Sequence, residues 1–282
     1  MQSRSPENSE KNTADDDDVL LSRAGSTDVY RHGQNIIKST GPWTTTVHSL
    51  LLHLEKVGFT GAPRLVGSGF DASGRETLTY IEGDFTDPGP WTLVGAAGVG
   101  HLLRNLHKAT ASYRPHPDAI WQPWFGRRLG DATRVIGHCD VAPWNIVARD
   151  GRPIALIDWE HSGPVDPLVE LAQACWLNAK LHDDIVAEQD GLPPLDERAK
   201  QLRAIVDAYG LSARQRRGFF DKIIEFVVHD TAEQADEAEV APDTIELKIS
   251  ELGFSPLWAL AWRARAAAWL LRNRRTFENA LA

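Results

Sequence analysis

The stretch around Asp140 constrains the possible fold of this chain most strongly. Asn145 follows Asp140 after one short loop, and two β-type stretches, 146–148 and 154–157, come next. A turn with Gly and Pro joins the two stretches, so they form a predicted hairpin. Asp158 comes directly after the second stretch. Because a hairpin returns its two ends to one place, we expect Asn145 and Asp158 to be neighbours, close to Asp140.

These residue types suit phosphoryl transfer. That reaction needs little covalent help from a protein, but it needs a divalent metal ion across the phosphates and an acceptor hydroxyl held in line. Mg²⁺ prefers hard oxygen ligands and usually takes one or two of them from the protein. Asp158 offers a carboxylate and Asn145 an amide oxygen, while Asp140 is placed to accept the hydroxyl proton or to orient the hydroxyl.

The pattern H-C-D-x-x-x-x-N at 138–145, followed by I-D-W-E, resembles the signature of aminoglycoside phosphotransferases and their choline-kinase-like relatives. The likeness extends along most of the chain, through VYRHGQNIIKSTGPWT, LRNLH, GPVDPLVELA and WLLRNRRTF. It implies an α+β, bilobal, protein-kinase-like fold. A small antiparallel-sheet N-terminal lobe with one helix would span residues 19–83, and a larger, mainly helical C-terminal lobe would span residues 84–282.

The same resemblance implies roles for the central residues. Asp140 is expected to be the catalytic base or positioner, and Asn145 and Asp158 are expected to hold Mg²⁺. His138 is expected to brace the catalytic loop through hydrogen bonds. Cys139 stands where relatives often carry Gly or Asn, and we expect it to be buried and inert because no activating partner is evident.

The nucleotide, ATP or GTP, is expected to bind the N-terminal lobe. Lys38 ends the second strand of a predicted hairpin, where kinase-like folds place the lysine that pairs with the α- and β-phosphates. Gly25 and Ser26 are expected to cover the phosphates with backbone N–H groups. Thr79 and Ile81 are expected to meet the adenine at the hinge between the lobes.

The ion-pair partner of Lys38 is an open question in the sequence. Kinase-like folds usually pair this lysine with a glutamate of the following helix. Here Val47 and His48 stand at the expected helix positions, and Glu55 comes late. The usual lysine–glutamate pair is therefore in doubt.

Charge and cysteine content limit the possible partners and location. The formal net charge is −9, which argues against nucleic acid because phosphate backbones are bound by an excess of Lys and Arg. Residues 1–18 are polar, end in four aspartates, and are predicted to form a disordered acidic tail. Two cysteines without metal-ligand spacing favour a reducing cytosol. We therefore expect a cytoplasmic enzyme without a membrane segment or an obligate protein partner.

The acceptor is expected to dock against the helical lobe. Asp230, Glu233 and Glu237 recur on one face of a predicted helix, and Glu160 follows the metal aspartate by two residues. In the resembling family, acidic helices of this lobe bind polycationic antibiotics, so an aminoglycoside or a basic peptide antibiotic is the first candidate. A solvated acidic face and a small metabolite alcohol, such as an amino alcohol or a sugar, stay open as alternatives.

Three other classes of protein fit the sequence less well. A protein kinase carries a long activation segment after its metal aspartate, whereas seven residues separate Asp158 from Asp166. A P-loop kinase needs G-x-x-x-x-G-K-[ST], which the sequence lacks. A catalytically inactive relative would be expected to lose one of the three central residues, and all three are present.

Overall fold

Strands dominate the first part of the fold and helices dominate the second. The computed structural model describes residues 18–24, 27–131, 134–245 and 255–282, so the predicted acidic tail lies outside the described residues except for Asp18. The N-terminal sheet ends at Thr79 and the first helix of the second part begins at Leu93. This division agrees with the predicted α+β class, while the domain limits 19–83 and 84–282 stay a prediction.

A five-stranded antiparallel sheet in the order β1-β2-β3-β5-β4 forms the first part. Its elements are β1 (Val19–Ala24), β2 (Thr27–His32), β3 (Asn35–Lys38), helix α1 (Thr44–Lys56), β4 (Leu65–Phe70) and β5 (Glu76–Thr79). The predicted β2–β3 hairpin turns at Gly33, whose φ of 58° is a conformation that glycine adopts without strain. The pairing of β3 with β5 sets Lys38 opposite Glu76.

Helix α1 buries one apolar face, as its sequence periodicity predicts. Val47, Leu50, Leu51 and Leu54 are buried at spacings of one, three and four residues, which is the pattern of an amphipathic helix. Gly58, with a φ of 77°, lies just beyond the helix and ends it in the left-handed conformation typical of a helix terminus.

The second part is built from helices around two small two-stranded sheets. Its elements are α2 (Leu93–Thr110), β6 (Val135–Gly137), β7 (Ile146–Arg149), β8 (Arg152–Leu156), β9 (Gly163–Val165), α3 (Pro167–Asn178), α4 (Asp184–Gln189), α5 (Leu195–Tyr209), α6 (Ala213–Arg216), α7 (Phe219–Glu237), α8 (Pro256–Arg272) and α9 (Arg274–Leu281). No helix among the described residues is long and apolar enough to cross a membrane.

The predicted hairpin after Asn145 is present as β7 and β8. The two strands pair antiparallel with Ile146 opposite Leu156, and the Ile157 N–H donates to the Asn145 carbonyl at 2.9 Å. Strands β6 and β9 also pair, and sequence analysis did not identify them because three-residue strands are too short to show a period. The two small sheets enclose the chain between residues 138 and 162 and fix its path.

One backbone bridge joins the segment between the two parts to the central hairpin. The N–H of Asp84 donates to the carbonyl of Ala148 at 2.9 Å, and the N–H of Ala148 donates back at 2.8 Å. The predicted boundary near residues 82–89 therefore runs against β7. This contact sets the hinge directly beside the strand that follows Asn145.

Gly100 is expected to be essential for the packing of α2 on α5. A Cβ atom on Gly100 would overlap the Ile205 carbonyl oxygen and lie 2.9 Å from the Tyr209 nitrogen, both of them backbone atoms of α5. In an exposed helix, Gly→Ala gains about 1 kcal/mol, whereas overpacking costs about 1–3 kcal/mol. Because helix backbone cannot move aside easily, Gly100→Ala should lower the free energy of unfolding in urea. An increase would contradict the close approach of the two helices.

Candidate active site

Asp140 and Asn145 lie at the two ends of the catalytic loop and contact each other. The Asn145 side-chain amide donates to the Asp140 carboxylate at 2.7 Å and to the Asp140 carbonyl at 3.2 Å. Because the amide nitrogen is engaged with Asp140, the amide oxygen is the atom of Asn145 that can meet a metal ion. The loop therefore couples the predicted base to one predicted metal ligand.

His138 joins the catalytic loop to the strand that carries Asp158. Its Nε2 atom donates to the Ile157 carbonyl at 2.9 Å, and the Asp140 N–H donates to its Nδ1 atom at 3.3 Å. Complete burial lowers the pKa of His138 to about 4, so the imidazole is neutral near pH 7. This arrangement is the hydrogen-bonded brace expected from the sequence.

Cys139 holds the left-handed backbone conformation, with a φ of 65°, which explains why Gly or Asn suits this position. Its N–H donates to a carboxylate oxygen of Glu170 at 2.6 Å. The other oxygen of Glu170 lies 2.6 Å from His107 Nε2. Burial raises the pKa of the Cys139 thiol, in keeping with an inert residue. Glu170, which is fully buried, thus stabilises the strained start of the catalytic loop from α3.

Asp158 lies at the end of the hairpin and contacts Lys38 across the two parts of the fold. The Lys38 ammonium is 2.8 Å from Asp158, 3.6 Å from Glu76 and 3.9 Å from Glu160. Burial alone would lower the pKa of Lys38, but these three carboxylates raise it above the ordinary value. Burial would raise the pKa of Asp158, and Lys38 reverses this effect and lowers it. Both groups are therefore charged at neutral pH.

The donors at this site fit a magnesium ion that is shared with a nucleotide. Among the described residues there is no group of three or more His, Cys, Asp or Glu side chains suited to holding a metal ion alone. Mg²⁺ in phosphoryl-transfer enzymes takes one or two protein oxygens and completes its shell with phosphates and water. Asn145 and Asp158 supply one amide and one carboxylate oxygen at the same end of the hairpin.

The Asp140 carboxyl group is set to titrate near neutral pH. Burial, and then the nearby charge of Asp158, raise its pKa to about 7, while the hydrogen bond from Asn145 opposes the rise. A carboxylate with a pKa near the working pH is well matched to accept a proton from a hydroxyl.

A cavity of about 250 Å³ opens beside Asp140. One side is formed by α7, and the cavity is lined by Trp124, Asp140, His161, Gln173, Asp230, Glu233, Glu237 and Arg263. The three acids of α7 that the sequence analysis selected thus share one cavity with Asp140, the predicted base.

Arginine side chains partly compensate the acidic face of α7. Arg263 Nε lies 2.5 Å from Asp230, and Arg128 lies 3.6 Å from Glu233. Burial raises the pKa of Asp230 although Arg263 opposes this, and burial also raises the pKa of Glu237. Asp230 is thus the acid of this face that an arginine holds most closely, whereas the arginine beside Glu233 is exposed and more distant.

The structure separates Glu160 from the acids of α7. Glu160 lies on the one-turn helix after Asp158 and lines a different cavity, together with Lys38 and Glu76. The acceptor contact expected of Glu160 stays a prediction, and its side chain lies 3.9 Å from the Lys38 ammonium. Burial, and then the charge of Asp158, raise its pKa.

The predicted nucleotide residues divide into three groups. Lys38 lies at the centre of the site, as described above. The Thr79 N–H donates to the Arg64 carbonyl and the Thr79 hydroxyl accepts from the Arg64 N–H, so these two groups are used within the sheet. The adenine contacts of Thr79 and Ile81 stay predictions. Gly25 and Ser26 lie outside the described residues.

Sequence analysis missed two pairs of residues that support the site. Glu76 contacts Lys38 from the neighbouring strand, and His48 of α1 contacts Glu76. No local sequence signal identified this pair. Glu170 and Arg263 lie on helices far along the chain. Their contacts depend on how the helices pack, which no local pattern reveals.

Comparison with known proteins agrees with this geometry. Residues 86–220 match the model of the phosphotransferase enzyme family (APH). The trifolitoxin immunity protein of Rhizobium leguminosarum bv. trifolii is 53% identical over 266 residues, which cover 94% of this chain and 99% of that protein. The chain therefore belongs to the phosphotransferase enzyme family.

Solved structures show the same fold at low sequence identity. The amicoumacin kinase hAmiN, in complex with AMP-PNP, Ca²⁺ and Ami, is 13% identical with a TM-score of 0.60, over 93% of this chain and 88% of that one. A microcompartment-associated aminopropanol kinase is 13% identical with a TM-score of 0.61, over 93% of each chain. These similarities confirm the predicted protein-kinase-like fold.

Removal of the Asp140 carboxylate is expected to stabilise the fold at alkaline pH. Its pKa in the folded chain, about 7, lies above the value of about 3.9 in an unfolded chain. The folded state therefore loses stability as the pH rises between these two values. A difference of about three pKa units corresponds to roughly 4 kcal/mol, so Asp140→Asn should exceed the wild type by up to about 4 kcal/mol at pH 8, and the difference should vanish near pH 4. Denaturant unfolding in EDTA at pH 8 and at pH 4 measures the two differences in the free energy of unfolding.

Asp158→Asn is the matched control, and its sign is opposite. The pKa of Asp158 is lowered in the folded chain, so its contribution to stability is present above the unfolded value and is lost as the pH falls. The variant should be less stable than the wild type at pH 7 and pH 8. Equal unfolding free energies for Asp140→Asn and wild type at pH 8 would contradict the burial of an ionised Asp140.

Proposed function

We propose that this chain transfers the γ-phosphate of ATP or GTP to a hydroxyl group of a cationic toxin or antibiotic and thereby gives immunity to it. The observation that carries the proposal is the position of Asp140. It lies on the wall of a cavity with Asp230, Glu233 and Glu237, and Asn145 links it to the metal-ligand end of the β7–β8 hairpin. This arrangement supports a reaction in which the proposed acceptor cavity, base and metal ligands meet at Asp140.

The proposed reaction divides the work among the residues of this site. The acceptor hydroxyl oxygen bonds to the γ-phosphorus, the bond from that phosphorus to the bridging oxygen of the nucleotide breaks, and the nucleoside diphosphate leaves. Asp140 accepts the hydroxyl proton, and Lys38 binds phosphate oxygens. When bound to Asn145 and Asp158, Mg²⁺ would neutralise charge on the phosphates. Ile81, Gly25 and Ser26 are proposed to bind the adenine and the phosphates.

The relative's name and two cavities support a toxin as the acceptor. The trifolitoxin immunity protein is 53% identical to this chain over almost its full length. A second cavity of about 300 Å³ shares Arg263 with the acceptor cavity and is lined by Trp144, Trp258 and Trp262. Trp144 and Trp258 are 47% and 42% exposed, and exposed tryptophans that line one cavity are typical of binding surfaces. The combined cleft suits a large acceptor with charged and apolar parts.

A small amino alcohol is the second candidate acceptor. The cavity beside Asp140 alone has a volume of only about 250 Å³, which is just below the common range of small-molecule sites, roughly 300–1,000 Å³. A solved structure with the same fold is an aminopropanol kinase. If the acceptor fills only the cavity beside Asp140, changes at Trp258 will not alter its Michaelis constant, whereas a large acceptor will lose affinity.

Asp140→Asn is expected to abolish immunity while the protein stays folded. A trifolitoxin-sensitive bacterium that expresses the wild-type chain should survive the toxin, and the same strain with the variant should not. Loss of a general base should lower the transfer rate by about 10²–10⁴-fold. Mass spectrometry of toxin incubated with protein, ATP and Mg²⁺ should show the added phosphoryl group only with the wild type.

The same assay with aminoglycosides, choline and amino alcohols separates the two candidate acceptors. Circular dichroism and nucleotide binding serve as controls for Asp140→Asn, and both should be retained. Near-normal phosphorylation by the variant would contradict the role of Asp140. Wild-type protection without any phosphorylated product would contradict the proposed reaction.

Glu233→Gln combined with Glu237→Gln is expected to weaken binding of a cationic acceptor. The double variant should raise the Michaelis constant for the acceptor about tenfold at low salt and leave the maximal rate nearly unchanged, because such contacts bind ground state and transition state alike. The difference should shrink as salt increases, since the screening length falls to about 8 Å at physiological ionic strength. Equal constants at low salt would show that this face is only solvated surface.

A further inference from the structure

Lys38 obtains its carboxylate partner from a strand rather than from the helix. The one acidic residue of α1 is Glu55, which lies near the end of the helix and 3.8 Å from Arg64. Glu76 instead stands opposite Lys38 in the register of β3 and β5, with its carboxylate 3.6 Å from the ammonium. Glu76 is 4% exposed, so the pair is shielded from water.

Helix α1 contributes a histidine to this pair. His48 Nε2 lies 2.9 Å from the second carboxylate oxygen of Glu76, and His48 is itself buried. His48 thus stands at the helix position where kinase-like folds usually have the glutamate, and it binds the strand glutamate Glu76 instead. Glu76 is bound on one side by the sheet lysine and on the other side by the helix.

The space for the His48 ring is provided by Gly69. A Cβ atom on Gly69 would lie 2.6 Å from the imidazole, and the residue has a φ of 85°, which disfavours any other amino acid. The ring of Phe70 packs against the other part of the imidazole, with centroids 4.7 Å apart. The histidine is therefore fixed by β4 as well as by Glu76.

We propose that Glu76, oriented by His48, is a positioning residue that holds Lys38 for the nucleotide phosphates in place of the usual helix glutamate. Burial of a lysine, a glutamate and a histidine together costs free energy unless each has partners. Here Lys38 is paired with Glu76 and Asp158, and Glu76 is also paired with His48. This inference rests on the proposed phosphotransferase function.

The strand origin of the carboxylate has a functional consequence. In protein kinases the helix that carries the glutamate moves, and this movement switches the lysine–glutamate pair on and off. Glu76 is tied to Lys38 by the hydrogen-bonded register of neighbouring strands, so its backbone cannot move away without breaking the sheet. The lysine site is therefore assembled permanently, and the enzyme needs no activation step before it binds nucleotide.

The test combines kinetics with a direct measure of the lysine itself. Glu76→Gln should lower kcat/KM for the nucleotide about 100-fold, as misplacement of a reacting group by about 1 Å does. Glu76→Asp should recover part of this loss. His48→Ala should lower kcat/KM about tenfold, whereas His48→Gln, which keeps an N–H donor, should stay within about threefold of wild type.

The control is His53→Gln, on the same helix. His53 bonds to the Ala109 carbonyl at 3.0 Å, away from Lys38, so this variant should cost stability without changing the nucleotide kinetics. Equal kinetic losses in His53→Gln and His48→Ala would show a general effect of the helix and overturn the proposal.

The reactivity of Lys38 gives a readout that does not depend on catalysis. Acetic anhydride labelling followed by mass spectrometry measures the rate at which Lys38 is acetylated. This rate should be low in wild type and His48→Gln, and several-fold higher in Glu76→Gln. Unchanged labelling in Glu76→Gln overturns the inference even if the enzyme is active. Faster labelling in Glu76→Gln would support the lysine–glutamate pairing even if the wild type neither binds nor consumes ATP. That second result would refute the phosphotransferase function alone.

Discussion

The buried ammonium of Lys38 is the interaction on which the site depends. It joins the N-terminal sheet to the end of the central hairpin through Asp158, and it does so in a place where water is largely excluded. A desolvated cation is stable only if carboxylates surround it. The sheet, the helix α1 and the hairpin must therefore all be in place before this group can be buried, which couples the folding of the two parts to the assembly of the site.

The residues close together in sequence were the most predictable. The hairpin after Asn145, the amphipathic pattern of α1 and the brace formed by His138 depend on spacing within about twenty residues, and such local patterns specify strands, helices and turns well. The left-handed backbone at Cys139 was indicated only indirectly, by the small residues that relatives carry there. For this local part of the site, the arrangement predicted from the sequence agrees with the arrangement in the structure.

The remaining features depend on packing between distant segments. Glu160 lies 3.9 Å from the Lys38 ammonium, a contact between residues more than one hundred positions apart that the sequence analysis did not predict. Arg263 reaches Asp230 from a helix thirty-three residues further along the chain. A side chain's neighbours across such distances are set by helix packing, and the identity of one residue does not reveal them. The acidic face of α7 could therefore be predicted from the sequence, whereas the arginines that pair with its acids could not.

The small space beside Gly69 has a consequence for how proteins of this kind can diverge. A methyl group there would displace the imidazole, and without the imidazole the strand carboxylate would lose one of its two partners. Positions 48, 69 and 76 are therefore coupled, because a side chain at position 69 needs the space that the His48 ring occupies and the ring is one of the two partners of Glu76. Homologues should fall into two groups, those with all three residues and those with the acid on the helix, with few intermediates between them.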